Sequence, residues 1–167
     1  MLRKYEYRRK LPHFQPDHKA FFITFSTYQR WILPEVVRNI VIDTCLAGND
    51  RKFRLYAVVV MPDHVHLLLA PLSDADGPIS VAEIMQVIKG ASAHRINRAL
   101  GRKGPVWQQE FFDRALRRED SVLDKIEYIL GNPVGAGLVK NPLDYRWIWR
   151  HTSQTGGDAR PPSKCEL

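Results

Sequence analysis

With 167 residues, 44% of them hydrophobic and 26% charged, the chain is large enough for one sizeable core and short for two domains. No apolar run approaches the length needed to cross a membrane, and two cysteines, Cys45 and Cys165, are too few for a disulfide framework. The net charge of +7 points to a polyanionic partner, because Lys and Arg clusters gain affinity for phosphates by releasing counterions.

The basic residues fall in two groups. The first, in a basic N-terminal arm over 1–19, holds Arg3, Lys4, Arg8, Arg9, Lys10 and Lys19, interleaved with Tyr5, Tyr7 and His13. The second runs from Lys89 through Arg95, Arg98, Arg102 and Lys103 to Arg114, Arg117 and Arg118. Aromatic interleaving favours nucleic acid over plain solvated decoration. The start, MLRKYEYRRK, is followed by no apolar segment of signal-peptide type, so a cytoplasmic protein is expected.

The segment 20–28 (AFFITFSTY) alternates and predicts a first strand, with Phe21, Ile23 and Phe25 on one face and Thr24 and Ser26 on the other. Pro34 opens a helix whose apolar stripe is Val36, Val37, Ile40, Val41 and Cys45 or Leu46, stopped at Gly48 and Asn49. The β-branched run 53–60 (FRLYAVVV) predicts a second strand. Pro62 and Asp63 turn it into a third, MPDHVHLLLA, as a hairpin.

On that third strand, residues two apart share a face, so His64 and His66 project the same way. Such a pair suits one divalent metal; two ordinary hydrogen-bonded histidines are the plain alternative. The segment 73–78 (SDADGP) is a polar loop. Ser80 and Glu83 then have capping-box spacing for a helix to about Leu100, ended by GRKGP. A fourth strand is expected around 112–116. The tail from 151 to 167 loses all periodicity.

A last helix, about 121–131 (SVLDKIEYILG), gathers Val122, Leu123, Ile126, Ile129 and Leu130 on one stripe. Tyr128 falls nearly opposite, sharing its side with Lys125 and Asn132, and Gly131, Asn132 and Pro133 are expected to break the helix. A surface tyrosine packing on nothing is one reading. The other is a tyrosine nucleophile for phosphoryl transfer, helped by a divalent ion on His64, His66 and one further oxygen ligand. Tyr145, Trp147 and Trp149 alternate at strand spacing, which suits core or edge packing before base stacking.

Together these elements predict an α+β, ferredoxin-like (RRM-like) sandwich: a four-stranded antiparallel sheet, two backing helices, and an appended helix that carries the tyrosine. The main domain is placed at 20–150.

MPDHVHLLL on a strand, then Trp107, Gln108, Phe112 and Arg114, then IEYILGNPVGAGLV, together resemble the REP-associated tyrosine transposases, within the HUH single-tyrosine (IS200-like) transposases. The likeness spans about 20–149. It implies that His64 and His66 bind the metal, Mg2+ or Mn2+, that Tyr128 is the nucleophile, and that Asn132 supplies a third ligand. It also implies a single-stranded DNA endonuclease and strand transferase acting beside imperfect hairpins through a 5'-phosphotyrosine link. Gly135 stands where that family's pattern leads us to expect a basic residue. The DNA would be held by Arg3, Lys4, Arg8, Arg9, Lys10, Lys89, Arg95, Arg98, Arg102, Arg114 and Lys125. A monomer is expected, a dimer being the alternative. Two other classes compete: a non-catalytic RRM-like single-strand nucleic-acid binding module, and a metal-dependent hydrolase of small phosphates, for which no glycine-rich phosphate loop is present.

Overall fold

In the computed structural model, residues 19–117, 120 and 122–152 are described. The N-terminal arm to residue 18, Arg118, and the tail from 153, with Cys165, lie outside them.

Strand β1 (Phe21–Ser26) keeps its alternation: Phe21, Ile23 and Phe25 are buried, and Phe22, Thr24 and Ser26 turn to the other face. Helix α1 (Glu35–Gly48) begins after Pro34, whose missing N–H is not needed there. It buries Val37, Val41, Ile42 and Cys45. Val36, expected on the stripe, is instead exposed, because the buried arc is centred one residue further on. The helix stops at a glycine for a steric reason. A Cβ on Gly48 would lie 2.5 Å from Cε1 of Phe53, the first residue of β2 (Phe53–Val60).

A tight turn, closed by Met61 N–H donating to the His64 carbonyl at 2.8 Å, joins β2 to β3 (His64–Pro71). The expected loop after β3 folds as a small ribbon pairing Ser73–Asp74 with Gly77–Pro78. Helix α2 (Val81–Leu100) has the expected ends: Ser80 Oγ accepts from Glu83 N–H at 3.1 Å, and Gly101 closes it at φ +60°. Strand β4 (Phe112–Ala115), helix α3 (Val122–Gly135) and strand β5 (Ile148–Arg150) complete the chain.

The sheet order is β4-β1-β3-β2-β5, with every neighbouring pair antiparallel. Its first four strands have the expected ferredoxin-like arrangement, but the sheet has five strands, not four. The fifth is the alternating aromatic segment near the end. Trp149 pairs with Val58, and the Tyr145 hydroxyl donates to the Val60 carbonyl at 2.7 Å, so the segment covers an edge of β2 that would otherwise expose a row of unpaired backbone groups. Tyr145, Trp147 and Trp149 are all buried, so their role is packing. The Arg38 guanidinium of α1 lies 4.7 Å over the Trp147 ring and donates to the Leu33 carbonyl, which ties this segment to the helix.

Helices α1 and α2 cover one face of the sheet. The Trp107 indole N–H reaches Ser92 Oγ of α2 at 2.9 Å while its ring packs edge-on against Phe25, and Arg95 of α2 reaches Thr44 of α1. Helix α3 lies on the opposite face, burying Ile126, Ile129 and Pro133 against β2 and β3. It runs to Gly135 instead of breaking at Gly131. Pro133 lacks the N–H that would bond the Ile129 carbonyl, but its ring is buried, which offsets the loss. The stop comes later, where Leu138 N–H bonds the Pro133 carbonyl, Gly137 N–H bonds that of Val134, and Gly137 takes φ +73°. Among the described residues no helix is long and apolar enough to cross a membrane.

Candidate active site

The site begins with β3 against β1, where His64 pairs with Ser26 and His66 with Thr24 on the face that α3 covers. Each imidazole has its Nδ1 edge engaged by a neighbour. Asp63 Oδ1 lies 2.7 Å from Nδ1 of His64, and because a carboxylate only accepts, that nitrogen carries a proton and Nε2 is the ring edge left to face a ligand. Thr24 Oγ1 lies 2.7 Å from Nδ1 of His66, and a hydroxyl can accept in the same way. The two rings stand edge to face with centroids 4.7 Å apart.

Asp63 is itself held. Its other oxygen meets Arg30 Nε at 3.0 Å, and its carbonyl accepts from Thr27 N–H at 2.9 Å. Arg30 Nη1 also donates to Ser26 Oγ at 2.9 Å. Gln29 and Arg30 adopt left-handed backbone, φ +52° and +57°, which non-glycine residues disfavour. That conformation aims the arginine back at the histidine turn.

His66 is 8% exposed. Burial, and then the charge of His64, push its pKa down to about 4, while a hydrogen bond to Asn132 pulls the other way. His66 is therefore a neutral imidazole at neutral pH, the form in which it can ligate a cation.

Helix α3 brings Tyr128 to this pair. Its ring centroid is 6.3 Å from that of His66 and 5.8 Å from Phe22, which in turn stacks on His66 at 5.5 Å. These ring contacts mean that Tyr128 does not pack on nothing, while at 55% exposed its outer side is open. Lys125 Nζ sits 5.5 Å from both the Tyr128 and the Phe22 rings. Asn132 Nδ2 donates to the Tyr128 carbonyl at 2.8 Å, which orients the amide as it meets His66. The chain thus gathers two ring nitrogens, an amide, a phenol and an ammonium. No group of three or more His, Cys, Asp or Glu side chains suited to a metal forms among the described residues, so any ion here relies on the amide and on groups from outside the chain.

The expected DNA-binding residues divide. Arg114, opposite Phe22 on β4, and Lys125 lie on the histidine face. The α2 group backs the other face and is partly committed elsewhere. Lys89 donates to the Gln109 carbonyl at 2.8 Å, with its pKa lowered by burial, and Arg95 donates to Thr44. Arg102 bonds Asn97 Oδ1 at 2.9 Å and stacks 4.2 Å over Trp31, while Arg98 is exposed on α2. Arg3, Lys4, Arg8, Arg9 and Lys10 lie outside the described residues. Sequence reasoning missed Phe22, Thr24, Arg30 and Asp63 as parts of the site. For Phe22 and Thr24 the available signal was their place on the non-core face of β1; for Asp63 it was its place beside His64.

Residues 15–130 match the family described as "Transposase IS200 like". A putative REP-associated tyrosine transposase of Haemophilus influenzae is 29% identical over 105 residues, 59% of this chain and 60% of that protein. The REP-associated tyrosine transposase of Escherichia coli is 30% identical over 110 residues, 65% of this chain and 61% of that protein. The matched part thus spans about three fifths of these curated relatives. A solved REP-associated tyrosine transposase bound to a REP hairpin has the same fold, with TM-score 0.59 and 24% identity over 89% of this chain and 92% of that one. With the family match extending from the N-terminal segment through β1, the histidine strand and most of α3, the chain belongs to the IS200-like transposase family.

Proposed function

We propose that the protein is a metal-dependent single-stranded DNA endonuclease and strand transferase that acts beside DNA hairpins through a 5'-phosphotyrosine intermediate on Tyr128. The observation that carries this reading is the 6.3 Å approach of the Tyr128 ring to His66, from elements about sixty residues apart in the chain. The relatives' description as REP-associated tyrosine transposases, and the REP hairpin bound by the solved one, support the substrate class. The reading takes a monomer as the working unit, with His64, His66, Asn132 and Tyr128 in one chain.

The donor set fits a divalent ion. Both Nδ1 atoms face Asp63 and Thr24, which leaves the Nε2 edges to face a cation, with the Asn132 amide, already hydrogen-bonded to His66, beside them as a further oxygen donor. Mg2+ or Mn2+ held there would draw charge from the scissile phosphate's oxygens and make its phosphorus more electrophilic. The rest falls to the chain's own residues. Asp63 and Thr24 orient the rings, and Phe22 sets the spacing between His66 and Tyr128. Lys125 places a positive charge beside the phosphate. The Tyr128 oxygen attacks phosphorus, its proton passing to solvent, and the P–O3' bond breaks, leaving a 5'-phosphotyrosine and a 3'-oxygen that takes up a proton. Attack by a 3'-OH on the phosphotyrosine reverses the step and rejoins strands.

The test is covalent capture. Incubated with Mn2+ and a labelled hairpin oligonucleotide with unpaired flanks, then denatured, the protein should carry label. Tyr128→Phe should lose the adduct and keep binding. An adduct that persists in Tyr128→Phe removes the tyrosine from its role, and binding with no adduct in the unaltered protein favours the RRM-like binding module instead.

A further inference from the structure

Strand β4 has its alternation inside out. Its register sets Asp113 opposite Ile23 and Ala115 opposite Phe21 on the core face, while Phe112 faces outward opposite Thr24, and Arg114 opposite Phe22. A slip of one residue would put the phenylalanine inside, since period-two strands exchange faces that way. The structure leaves Phe112 58% exposed instead. Its neighbour Phe111 packs against the core and takes Lys89 Nζ 5.7 Å over its ring, so the local need for an aromatic is already met. Phe112 therefore leaves more than half of its surface to water on an edge strand.

Its position gives it a use. Phe112 pairs with Thr24, which bonds His66, so it lies two strand spacings, about 10 Å, from the histidine strand. Two cations flank it on the same face. Arg114 is next along that face of β4, 3.8 Å from Asp120, and Lys125 lies over Phe22. A flat ring bordered by cations beside a phosphate-handling centre matches an unpaired nucleotide, whose base offers a π-face and whose backbone offers charge. A helix or peptide seeking an apolar seat would meet a guanidinium beside a single ring.

We propose that Phe112 is a stacking platform for an unpaired nucleobase adjacent to the phosphate cut at Tyr128, with Arg114 holding that nucleotide's phosphate. This rests on the single-stranded DNA reading above and adds to it where the flanking strand runs: off the histidines and across β1 onto β4.

The probe is a synthetic hairpin oligonucleotide carrying one 2-aminopurine, moved in turn through each unpaired flank position, with the protein held uncleaving as Tyr128→Phe. On binding, one position should lose fluorescence by stacking. Adding Phe112→Ala should restore that fluorescence and weaken binding by about 10-fold, whereas Phe112→Trp should keep both. Arg114→Gln should lower the salt dependence of binding by about one phosphate contact. Quenching that survives in Phe112→Ala, or its absence at every position while binding is intact, overturns the platform and leaves the DNA reading standing. Absence of any binding overturns the DNA reading and the platform with it. Phe112 is exposed, so the variants should melt with the parent, and the quench kept by Phe112→Trp separates stacking from a folding defect.

Discussion

The two faces of the sheet are built from the same five strands and serve opposite ends. Under α1 and α2, Ile23, Phe25, Val58, Val60, Val65, Leu67 and Leu69 meet Val37, Val41, Ile84, Met85 and Ile88, all fully or nearly fully buried. Under α3 the same strands present Phe22, Thr24, Ser26, His64 and His66, and the helix covers them only in part, leaving Tyr128 and Asn132 at its open side. One face holds the molecule together through close packing; the other mixes burial with polar atoms kept at fixed positions. Period two is what lets a single strand serve both, since Leu67 and His66 differ by one residue and by a whole environment.

The sharpest way to break the comparison is to trade one face against the other. Leu67→Ala should destabilise the fold by about 3 kcal/mol through lost burial and a cavity, seen in urea unfolding, and a loss under about 1 kcal/mol would mean the packed face is not the stabilising one. Next comes pH. The His66 pKa is lowered from 6.5 to about 4, so the folded state resists a proton that the unfolded chain accepts. Stability without added metal should hold above about pH 6.5 and fall by as much as about 3 kcal/mol as the pH drops toward 4. His66→Asn should flatten that slope, and an unchanged slope would show that another group titrates. Smaller still, Asp63→Asn should lower Mn2+ affinity by about 10- to 100-fold in calorimetry, since it frees the His64 tautomer, while the melting temperature moves little. Equal Mn2+ binding in that variant would separate Asp63 from the ligand geometry. The smallest expected change in folding is that of Tyr128→Phe, within about 0.5 kcal/mol, because Tyr128 is more than half exposed. A larger loss would make Tyr128 a packing residue.

What could be read in the sequence followed from local rules. Ser80 and Glu83 marked the start of α2, alternation marked β1, and spacing alone put His64 and His66 on one face and set Tyr128 off its helix stripe. What could not be read depended on distant partners. Thr24 reaches His66 across 42 residues only because of the β1–β3 register, which the whole sheet decides. Arg95 and Arg102 looked like free cations in a basic run, yet Thr44, Asn97 and Trp31 engage them. Pro133 reads as a helix stop because its missing hydrogen bond is a local fact, whereas its burial is not. The fifth strand showed its alternation, but whether an aromatic segment pairs or merely packs depends on an edge being open, and β2 had one.

The interior position of Cys45 gives the fold a built-in clock. The thiol is fully buried on α1 and burial pushes its pKa up to about 12, so in the closed molecule it is neither ionised nor reachable. Alkylation of Cys45 therefore has to wait for α1 to lift from the sheet. In a Cys165→Ser background, the rate at which a thiol reagent labels the protein measures how often the packed layer opens, while the tyrosine face stays untouched.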